Sequence, residues 1–230
     1  MDICIIVFPG TNREQDMALA LTRVFGTPPR FIWHKETDIG NPDLIVLAGG
    51  FSHGDYLRCG AMAARAPVMQ AVIQKAIKGT RVLGVCNGFQ ILVETGLLSG
   101  ALLRNKTLRF ACRQVYLKCE NTNTDFTRHL TPHTLIHVPV AHGEGAYFVD
   151  SDTHKRMQDH AQIAFGYCTH EGAYEDSANF NGTIAHIAGV FNKEKTILGM
   201  MPHPENAALP WHANQSGLGI FESLRESLCA

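Results

Sequence analysis

The fold is decided by one stretch, Arg81-Val82-Leu83-Gly84-Val85-Cys86-Asn87-Gly88-Phe89-Gln90. Its first half is apolar and typical of a buried strand over residues 81–85, and helical spacing follows over residues 88–94. A cysteine stands where the strand turns into the helix, with a glycine two residues away on either side. This spacing is typical of a nucleophile elbow, a strained turn whose neighbouring residues must lack side chains. We therefore expect an α/β fold that presents Cys86 as a nucleophile.

A cysteine at this position gains reactivity from its surroundings. The N-terminus of the following helix offers unpaired N–H groups and a dipole, and both favour the thiolate over the thiol. The alternative is a buried core cysteine, but packing alone would prefer side chains where the two glycines stand. That alternative is the better interpretation for the six cysteines without this setting: Cys4, Cys59, Cys112, Cys119, Cys168 and Cys229.

The segments before the elbow alternate apolar runs with helical stripes. Such alternation indicates a parallel sheet covered on both faces. Strands are predicted over residues 3–8, 31–34 and 43–47, and a helix over about 61–78. Thr11 and Glu14 have the spacing of a capping box for another helix, which Gly26 would end.

The segments after the elbow change character. Short strands are predicted over residues 115–118, 135–140, 163–167 and 186–191, as additional strands on one side of the parallel sheet and a β-rich extension. Residues 121–134 are polar enough for a surface loop, and 220–228 are predicted as a C-terminal helix. Since no internal repeat or low-complexity linker interrupts the chain, residues 1–230 are expected to form a single domain.

Composition excludes several classes of function. The chain has 230 residues and a formal net charge of −1, without the clustered Lys and Arg that a nucleic-acid surface needs. No apolar run approaches the roughly 20 residues that span a bilayer. The apolar opening lacks a basic segment before it, so it is expected to be a first strand and not a signal peptide. Seven scattered cysteines without a C-x-x-C pair suit a reducing cytoplasm.

A second candidate group is Met201-Pro202-His203-Pro204-Glu205. Each proline pushes the residue before it toward extended conformations, so His203 is expected to be extended. In an extended chain residues i and i+2 point the same way, which would set Glu205 beside the imidazole. A carboxylate that orients a histidine base is the arrangement of a catalytic triad. The alternative is a proline-rich surface turn with a solvated histidine.

Two glycine-bearing turns complete the candidate site. An N–H from the turn Gly49-Gly50-Phe51 and the N–H of Asn87 would together form an oxyanion hole, unless this is a plain tight turn. His53, Asp55 and Arg58, which follow it, are interpreted as surface groups or partner contacts. His142-Gly143-Glu144-Gly145 is, on spacing alone, a hairpin. No zinc-type spacing recurs, so no metal is expected.

These motifs, in their order and spacing, resemble the class I glutamine amidotransferases. Among them the chain is most similar to the glutaminase subunits of phosphoribosylformylglycinamidine synthase, from purine biosynthesis. The departures are His53, where that family has an aromatic Tyr, and Val85, where Ile is usual. The resemblance rests on the following segments: Pro9-Gly10-Thr11-Asn12, Gly49-Gly50-Phe51-Ser52, Gly54-Asp55-Tyr56-Leu57-Arg58, Gly84-Val85-Cys86-Asn87-Gly88-Phe89-Gln90, His142-Gly143-Glu144-Gly145 and Pro202-His203-Pro204-Glu205.

The resemblance implies a flavodoxin-like, three-layer αβα fold with a mostly parallel central sheet. It implies Cys86 as the nucleophile and His203 and Glu205 as its triad partners. Gln90 would contact the bound glutamine. Backbone contacts would come from the turns at Gly50-Phe51 and His142-Gly143-Glu144.

The resemblance also implies partners. Ammonia would pass to a separate large synthetase subunit that uses ATP, with its Mg²⁺, usually alongside a small third subunit; no cofactor is expected on this chain. A peptidase-like or deglycase-like cysteine hydrolase is one alternative, but those pair the elbow cysteine with an adjacent histidine, whereas Asn87 follows here. A non-catalytic subunit and an amidotransferase of another pathway are the others.

Overall fold

The computed structural model describes residues 1–132 and 134–229, and its centre is a sheet of nine strands. The strand order is β2-β1-β3-β4-β11-β10-β9-β6-β7, and β5 and β8 form a separate two-stranded sheet. The strands are β1 (Ile3–Val7), β2 (Arg30–Trp33), β3 (Leu44–Leu47), β4 (Arg81–Val85), β5 (Ala101–Leu103), β6 (Ala111–Cys119), β7 (Leu135–His142), β8 (Ala146–Phe148), β9 (Ile163–Cys168), β10 (Ile187–Phe191) and β11 (Ile197–Met200). The helices are α1 (Glu14–Phe25), α2 (Pro67–Ile77), α3 (Asn87–Glu94), α4 (Ser151–Asp159) and α5 (Leu218–Cys229).

The sheet has a parallel half and an antiparallel half. Strands β2, β1, β3, β4 and β11 run parallel, and β10, β9, β6 and β7 continue from β11 with antiparallel pairings. The order 2-1-3-4 is that of flavodoxin-like sheets, whose ligands bind beyond the carboxyl ends of the strands. The expected α/β class, with a parallel core and added strands on one side, is confirmed.

Burial explains why a strand in the parallel half, such as β3, is a continuous run of apolar residues. All four residues of β3 are 0% exposed, because helices cover such strands on both faces. Helix α1 packs against α5, and α3 packs against β4 and β11. Gly26 ends α1 in the left-handed conformation, and its N–H donates to the Thr22 carbonyl. The carboxyl ends of β3, β4 and β11 therefore meet at one edge of a rigid layer.

Two details of the helix starts differ from the sequence prediction. Thr11 does not cap α1; its hydroxyl accepts from the Phe8 N–H at 3.0 Å, and Arg13 occupies the N-cap without a side-chain bond. The helix predicted over 61–78 begins only at Pro67, after a short 3₁₀ turn at Ala63–Arg65. The proline ring fixes the first helical position and lacks an N–H, so a helix readily starts there.

The prediction of a surface loop over residues 121–134 is also wrong in part. Phe126 and Thr127 are 0% exposed and anchor this segment to the core, and His133 lies outside the described residues. Helix α4 was not anticipated, although Asp150 caps it by accepting from the Thr153 N–H. Among the described residues, no helix is both long and apolar enough to cross a bilayer.

Candidate active site

Cys86 lies at the apex of the turn between β4 and α3. Its φ of 51° and ψ of −108° are a conformation that residues with a side chain rarely adopt. The residue is 5% exposed, and its Sγ lies 3.6 Å from the Ala141 carbonyl oxygen. The local geometry is that of the elbow expected from the sequence.

The two glycines around Cys86 are required by close packing of α3 on the sheet. A Cβ at Gly88 would lie 1.9 Å from the Leu47 carbonyl oxygen. A Cβ at Gly84 would lie 2.5 Å from Leu92 Cδ1 and 2.8 Å from the Gly88 carbonyl oxygen. Side chains at these positions would push the helix off the sheet and displace the nucleophile.

His203 reaches the same place from the neighbouring strand. It follows β11, which pairs in parallel with β4. Its Nδ1 lies 2.7 Å from Glu205 Oε1, and the two residues are 3% and 0% exposed. The expected extended chain is not found: His203 has φ of −103° and ψ of 88°, outside the regular extended range, and Glu205 lies in a 3₁₀ turn at Pro204–Ala207. The side-by-side arrangement therefore arises from this turn.

The electrostatics around His203 favour its charged form. Burial alone lowers the pKa of His203, but the negative charges of Glu205 and Cys86, with the hydrogen bond to Glu205, outweigh burial and raise the pKa to about 10. The Nε2 atom is buried and has no hydrogen-bond partner among the described residues. An imidazolium held between two anionic groups is what a Cys–His pair needs to keep a thiolate.

The glycine-rich turn after β3 rests on the loop that follows β1. Gly49 accepts hydrogen bonds at its carbonyl from the N–H groups of Asn12 and Arg13, at 3.3 and 3.1 Å. The Phe51 N–H donates to the Gly10 carbonyl at 2.9 Å. The segment Pro9-Gly10-Thr11-Asn12 thus supports the turn, and its Gly10 carbonyl engages the Phe51 N–H, which is one of the turn's candidate oxyanion donors.

A chain of side-chain hydrogen bonds joins this turn to α3 and to the segment after β7. Asn87 accepts from the Ser52 N–H at 3.2 Å and donates to Gln90 Oε1 at 2.9 Å. Gln90 Nε2 donates to the Glu144 carbonyl at 2.7 Å. The side chain of Asn87 therefore connects elements, and only its backbone N–H is left as a candidate oxyanion donor.

The segment His142-Gly143-Glu144-Gly145 is not a hairpin. Strand β7 ends at His142, and the chain passes to β8, which pairs with β5 in the other sheet. His142 is 2% exposed, and burial, together with the charge of His203, lowers its pKa to about 4. Two buried histidines of one site thus carry opposite protonation preferences.

Asn105, which sequence reasoning missed, holds this segment. Its Nδ2 donates to the His142 carbonyl at 2.8 Å, and its Oδ1 lies 3.0 Å from His142 Nδ1. The same oxygen accepts from the Gly145 N–H at 3.2 Å. Because Oδ1 can only accept, we assign the imidazole proton to Nδ1. Asn181, 0% exposed, adds a bond from Nδ2 to the Gly145 carbonyl. No local pattern marked either asparagine.

His53 and Arg58, which follow the glycine-rich turn, contact side chains other than those of Cys86, His203 and Glu205. His53 packs against the ring of His34, with 5.2 Å between centroids, on the side of the turn near Phe8. Arg58 pairs with Glu94 at 2.5 Å.

Within residues 1–132 and 134–229, no group of three or more His, Cys, Asp or Glu is arranged to hold a metal ion.

A cysteine with a strained backbone and a buried His–Glu pair lie at the ends of adjacent parallel strands, as the resemblance to the class I glutamine amidotransferases implies. Residues 1–223 match the family model of the CobB/CobQ-like glutamine amidotransferase domain, and the chain belongs to that family.

Within this family, the similar proteins are subunits of one enzyme. The chain is 50% identical to phosphoribosylformylglycinamidine synthase subunit PurQ of Bradyrhizobium diazoefficiens over 99% of this chain and 98% of the relative. It is also 50% identical to the same subunit of Rhizobium etli over the full length of both. A chain in the structure of PurLQS from Thermotoga maritima superimposes with a TM-score of 0.86 and 36% identity, covering 99% of this chain and 98% of that one. The protein is a member of the PurQ subunits.

Proposed function

We propose that this chain is the glutaminase subunit of a phosphoribosylformylglycinamidine synthase, with Cys86 as nucleophile, His203 as base and acid, and Glu205 as the group that orients the imidazole. One observation carries the assignment of residues. The nucleophile and the base follow adjacent parallel strands, and the 2.7 Å contact between His203 and Glu205 is fully buried.

The first half-reaction forms a thioester. The thiolate of Cys86 attacks the side-chain amide carbon of glutamine, and the carbonyl oxygen becomes an oxyanion. The imidazolium of His203 then gives its proton to the amide nitrogen, the C–N bond breaks, and ammonia leaves. Glu205 keeps Nδ1 in place throughout, so that Nε2 faces the reacting atoms.

The second half-reaction hydrolyses the thioester. His203, now neutral, takes a proton from a water molecule as the oxygen attacks the thioester carbon. The C–S bond breaks, Cys86 leaves as the thiolate, and His203 retains the proton, so the starting ion pair is restored. The balance is glutamine plus water giving glutamate plus ammonia.

Substrate contacts follow from the placement of the remaining candidates. The N–H of Asn87 and one N–H from Gly50 or Phe51 would hold the oxyanion. Gln90 would contact the amino-acid end of glutamine, one turn along α3 from Cys86. The backbone of His142, Gly143 and Glu144, fixed by Asn105, would close the other side.

The ammonia has a destination on another chain. We assign to a large synthetase subunit the binding of ATP, Mg²⁺ and formylglycinamide ribonucleotide, and we include a small third subunit in the assembly; this chain itself would carry no cofactor. Residues 1–230 would act as one amidotransferase domain, since one sheet extends from β2 to β7 and α5 packs against α1. The cytoplasm is the proposed location, because the seven scattered cysteines suit a reducing compartment.

The test is a reconstitution of the chain with its synthetase. Glutamine-dependent formation of formylglycinamidine ribonucleotide should require this chain, ATP and the acceptor nucleotide, while added ammonia should support synthesis without it. Hydrolysis of a peptide or of a glycated substrate, with no glutamine turnover in the reconstituted complex, would instead favour the cysteine-hydrolase alternative.

A further inference from the structure

A small pocket lies beside the edge strand β2, outside the site of Cys86. Phe31 and Trp33 stand on either side of the buried Ile32, so both rings project from the same face of the strand. The two aromatic residues are 45% and 43% exposed. The pocket lies between this strand and the start of α1, has a volume of about 240 Å³ and is lined by Val7, Glu14, Gln15, Phe31, Trp33 and Glu36.

Neighbouring groups hold Trp33 in place. Its ring meets the ring of His34 edge to face, with 4.7 Å between centroids, and its backbone N–H donates to Glu36 Oε1 at 2.8 Å. Strand β2 is the end strand of the nine-stranded sheet over the described residues, so its outer side is open. Exposed aromatic side chains on an open edge strand invite association, which indicates a surface that a partner covers.

The polar lining of the pocket is acidic. Glu14 and Glu36 form no salt bridge within the described part of the chain, whereas the nearby Arg13 is engaged by Asp16 at 2.9 Å. The Oε2 atom of Glu14 is buried and has no hydrogen-bond partner among those residues. A carboxylate oxygen shielded from water without a donor carries a free-energy cost, and a cationic donor would remove it.

Aromatic faces beside carboxylates have the chemistry that selects a guanidinium group. This planar cation stacks on an aromatic face and donates several N–H bonds, so one arginine can use the rings and the carboxylates together. The volume of about 240 Å³ is below the roughly 300–1,000 Å³ of small-molecule sites, so a single side chain fits the pocket better than a separate metabolite does.

The position of the pocket indicates which protein supplies that side chain. Val7 and Trp33 end β1 and β2, so the pocket lies at the same edge of the sheet as Cys86, which follows β4. Three strand spacings, or about 14 Å, separate β2 from β4. An interface of standard size buries about 800 Å² per partner, a patch about 30 Å across, so a synthetase that receives ammonia from Cys86 would also cover the pocket.

We propose that the pocket formed by Trp33, Glu14 and Glu36 receives an arginine side chain of the large synthetase subunit. The inference rests on the proposed function and adds an anchor for the complex to it. Tryptophan and arginine are the residues that contribute most to binding when they are buried at an interface. Because the pocket lies outside the catalytic centre, the anchor acts on assembly and not on the chemical steps.

The test measures the Kd of each variant for the purified synthetase, with the small third subunit present. Trp33→Ala should raise the Kd by about 30-fold or more, the effect of an interface hot spot. Glu14→Gln and Glu36→Gln keep the shape of the pocket and remove its charge. Each should raise the Kd by about 10-fold and weaken the dependence of the Kd on salt, because a charge-assisted contact is lost. At saturating synthetase, glutamine-dependent synthesis should reach the wild-type rate in all three.

The matched controls lie at the opposite edge of the sheet. Ile77→Ala truncates an apolar residue that is 76% exposed at the end of α2, and Glu194→Gln removes a charge in the turn before β11. Both controls should bind the synthetase as the wild type does. Alkylation of Cys86 by iodoacetamide at the wild-type rate shows that a variant is folded. The two carboxylate variants decide the question where Trp33→Ala fails this check.

Four results would count against the inference. A wild-type Kd in folded Trp33→Ala, or in both carboxylate variants, would overturn it. A raised Kd in Trp33→Ala with wild-type salt dependence in both carboxylate variants would mean an apolar contact without a cation, and would also overturn it. Variants that lose only self-association would assign the pocket to a second copy of this chain. A wild-type chain that neither binds the synthetase nor supports glutamine-dependent synthesis would instead contradict the proposed function itself.

Discussion

The catalytic centre and the rim around it are built on different principles. The centre, Cys86, His203 and Glu205, stands at the ends of adjacent parallel strands, and each residue is at most 5% exposed. The rim, residues 49–59 and 142–145, consists of loops in which Phe51 is 43% and Leu57 90% exposed. Several rim residues, such as Asp55 with φ of 55°, have left-handed backbone conformations.

The difference teaches which property each region controls. A centre fixed by the sheet offers the same chemistry whether or not a partner is bound. Strained, exposed loops open at a lower free-energy cost than buried strands, so the rim suits substrate selection and activation. Changes in the centre should act on kcat, and changes in the rim on KM or on the response to the synthetase.

The largest expected effect tests the centre. Cys86→Ala should lower glutamine hydrolysis by about 10⁵- to 10⁶-fold, because loss of a nucleophile removes the whole triad's contribution, as it does in the serine protease subtilisin. Synthesis from added ammonia should continue in the complex. A diazo-ketone analogue of glutamine should label Cys86, and peptide mapping checks this.

The control for that experiment is the exposed Cys112→Ala, which should leave hydrolysis and labelling unchanged. Label found on Cys59 or Cys168 in the wild-type chain would contradict the assignment of the nucleophile.

A smaller effect should separate the members of the centre. Glu205→Gln should retain about 10- to 100-fold more activity than Cys86→Ala, since loss of an orienting carboxylate costs less than loss of the base or nucleophile. His203→Ala should slow both thioester formation and its hydrolysis, which rapid-quench measurements resolve. If a folded Glu205→Gln protein is as inert as Cys86→Ala, Glu205 does more than orient the imidazole.

The next prediction concerns activation through the rim. The Phe51 N–H donates to Gly10 and so is not free for an oxyanion. Rotation of the Gly50–Phe51 peptide would break only that bond, because Gly49 is held separately by Asn12 and Arg13. Since one oxyanion donor contributes about 10²- to 10³-fold, the complex should hydrolyse glutamine faster than the isolated chain by that factor.

The measurement is kcat for the isolated chain and for the complex with ATP and acceptor nucleotide. Alkylation of Cys86 by iodoacetamide needs no oxyanion hole, so it should proceed readily in the isolated chain and serves as the control for an intact centre. Equal kcat values in both states would exclude this gating.

The smallest effect concerns His142, a rim residue as deeply buried as the centre. Burial and the charge of His203 lower its pKa from 6.5 to about 4, so the folded state resists protonation. Its full contribution to stability is present above pH 6.5 and is lost as the pH falls from 6.5 toward 4. The loss corresponds to about 3 kcal/mol.

Urea unfolding at pH 7 and pH 5 measures this dependence. His142→Gln should flatten the fall in the free energy of unfolding with acid, whereas the exposed His170→Gln should keep the wild-type slope. An equally steep fall in His142→Gln would assign the acid sensitivity to other groups.

Features encoded locally were predictable from the sequence. Gly84 and Gly88 mark the elbow because neighbouring backbone must approach within contact distance there. Pro202 and Pro204 mark His203 because proline restricts the chain around it. The start of α2 was missed, although Pro67 carried the signal, because the helical pattern was extended through it.

Features that depend on distant contacts were not predictable. Asn105 is important only because the backbone of His142 and Gly145 folds back onto its amide. Asp55 was interpreted as a surface group, since its proximity to Glu144 arises from the folded sheet. Residues 197–200 are apolar, but nothing local indicates that they form the central strand β11 between β4 and β10.

The central position of β11 also governs when activity appears during synthesis of the chain. The N-terminal strands and the Cys86 elbow leave the ribosome first, whereas β11 and His203 follow near the end. Until β11 inserts, the nucleophile lacks its base, and β4 and β10 present open edges that invite pairing with other chains. A half-made chain therefore releases no ammonia, and the strand that completes the sheet also brings the base to the thiol.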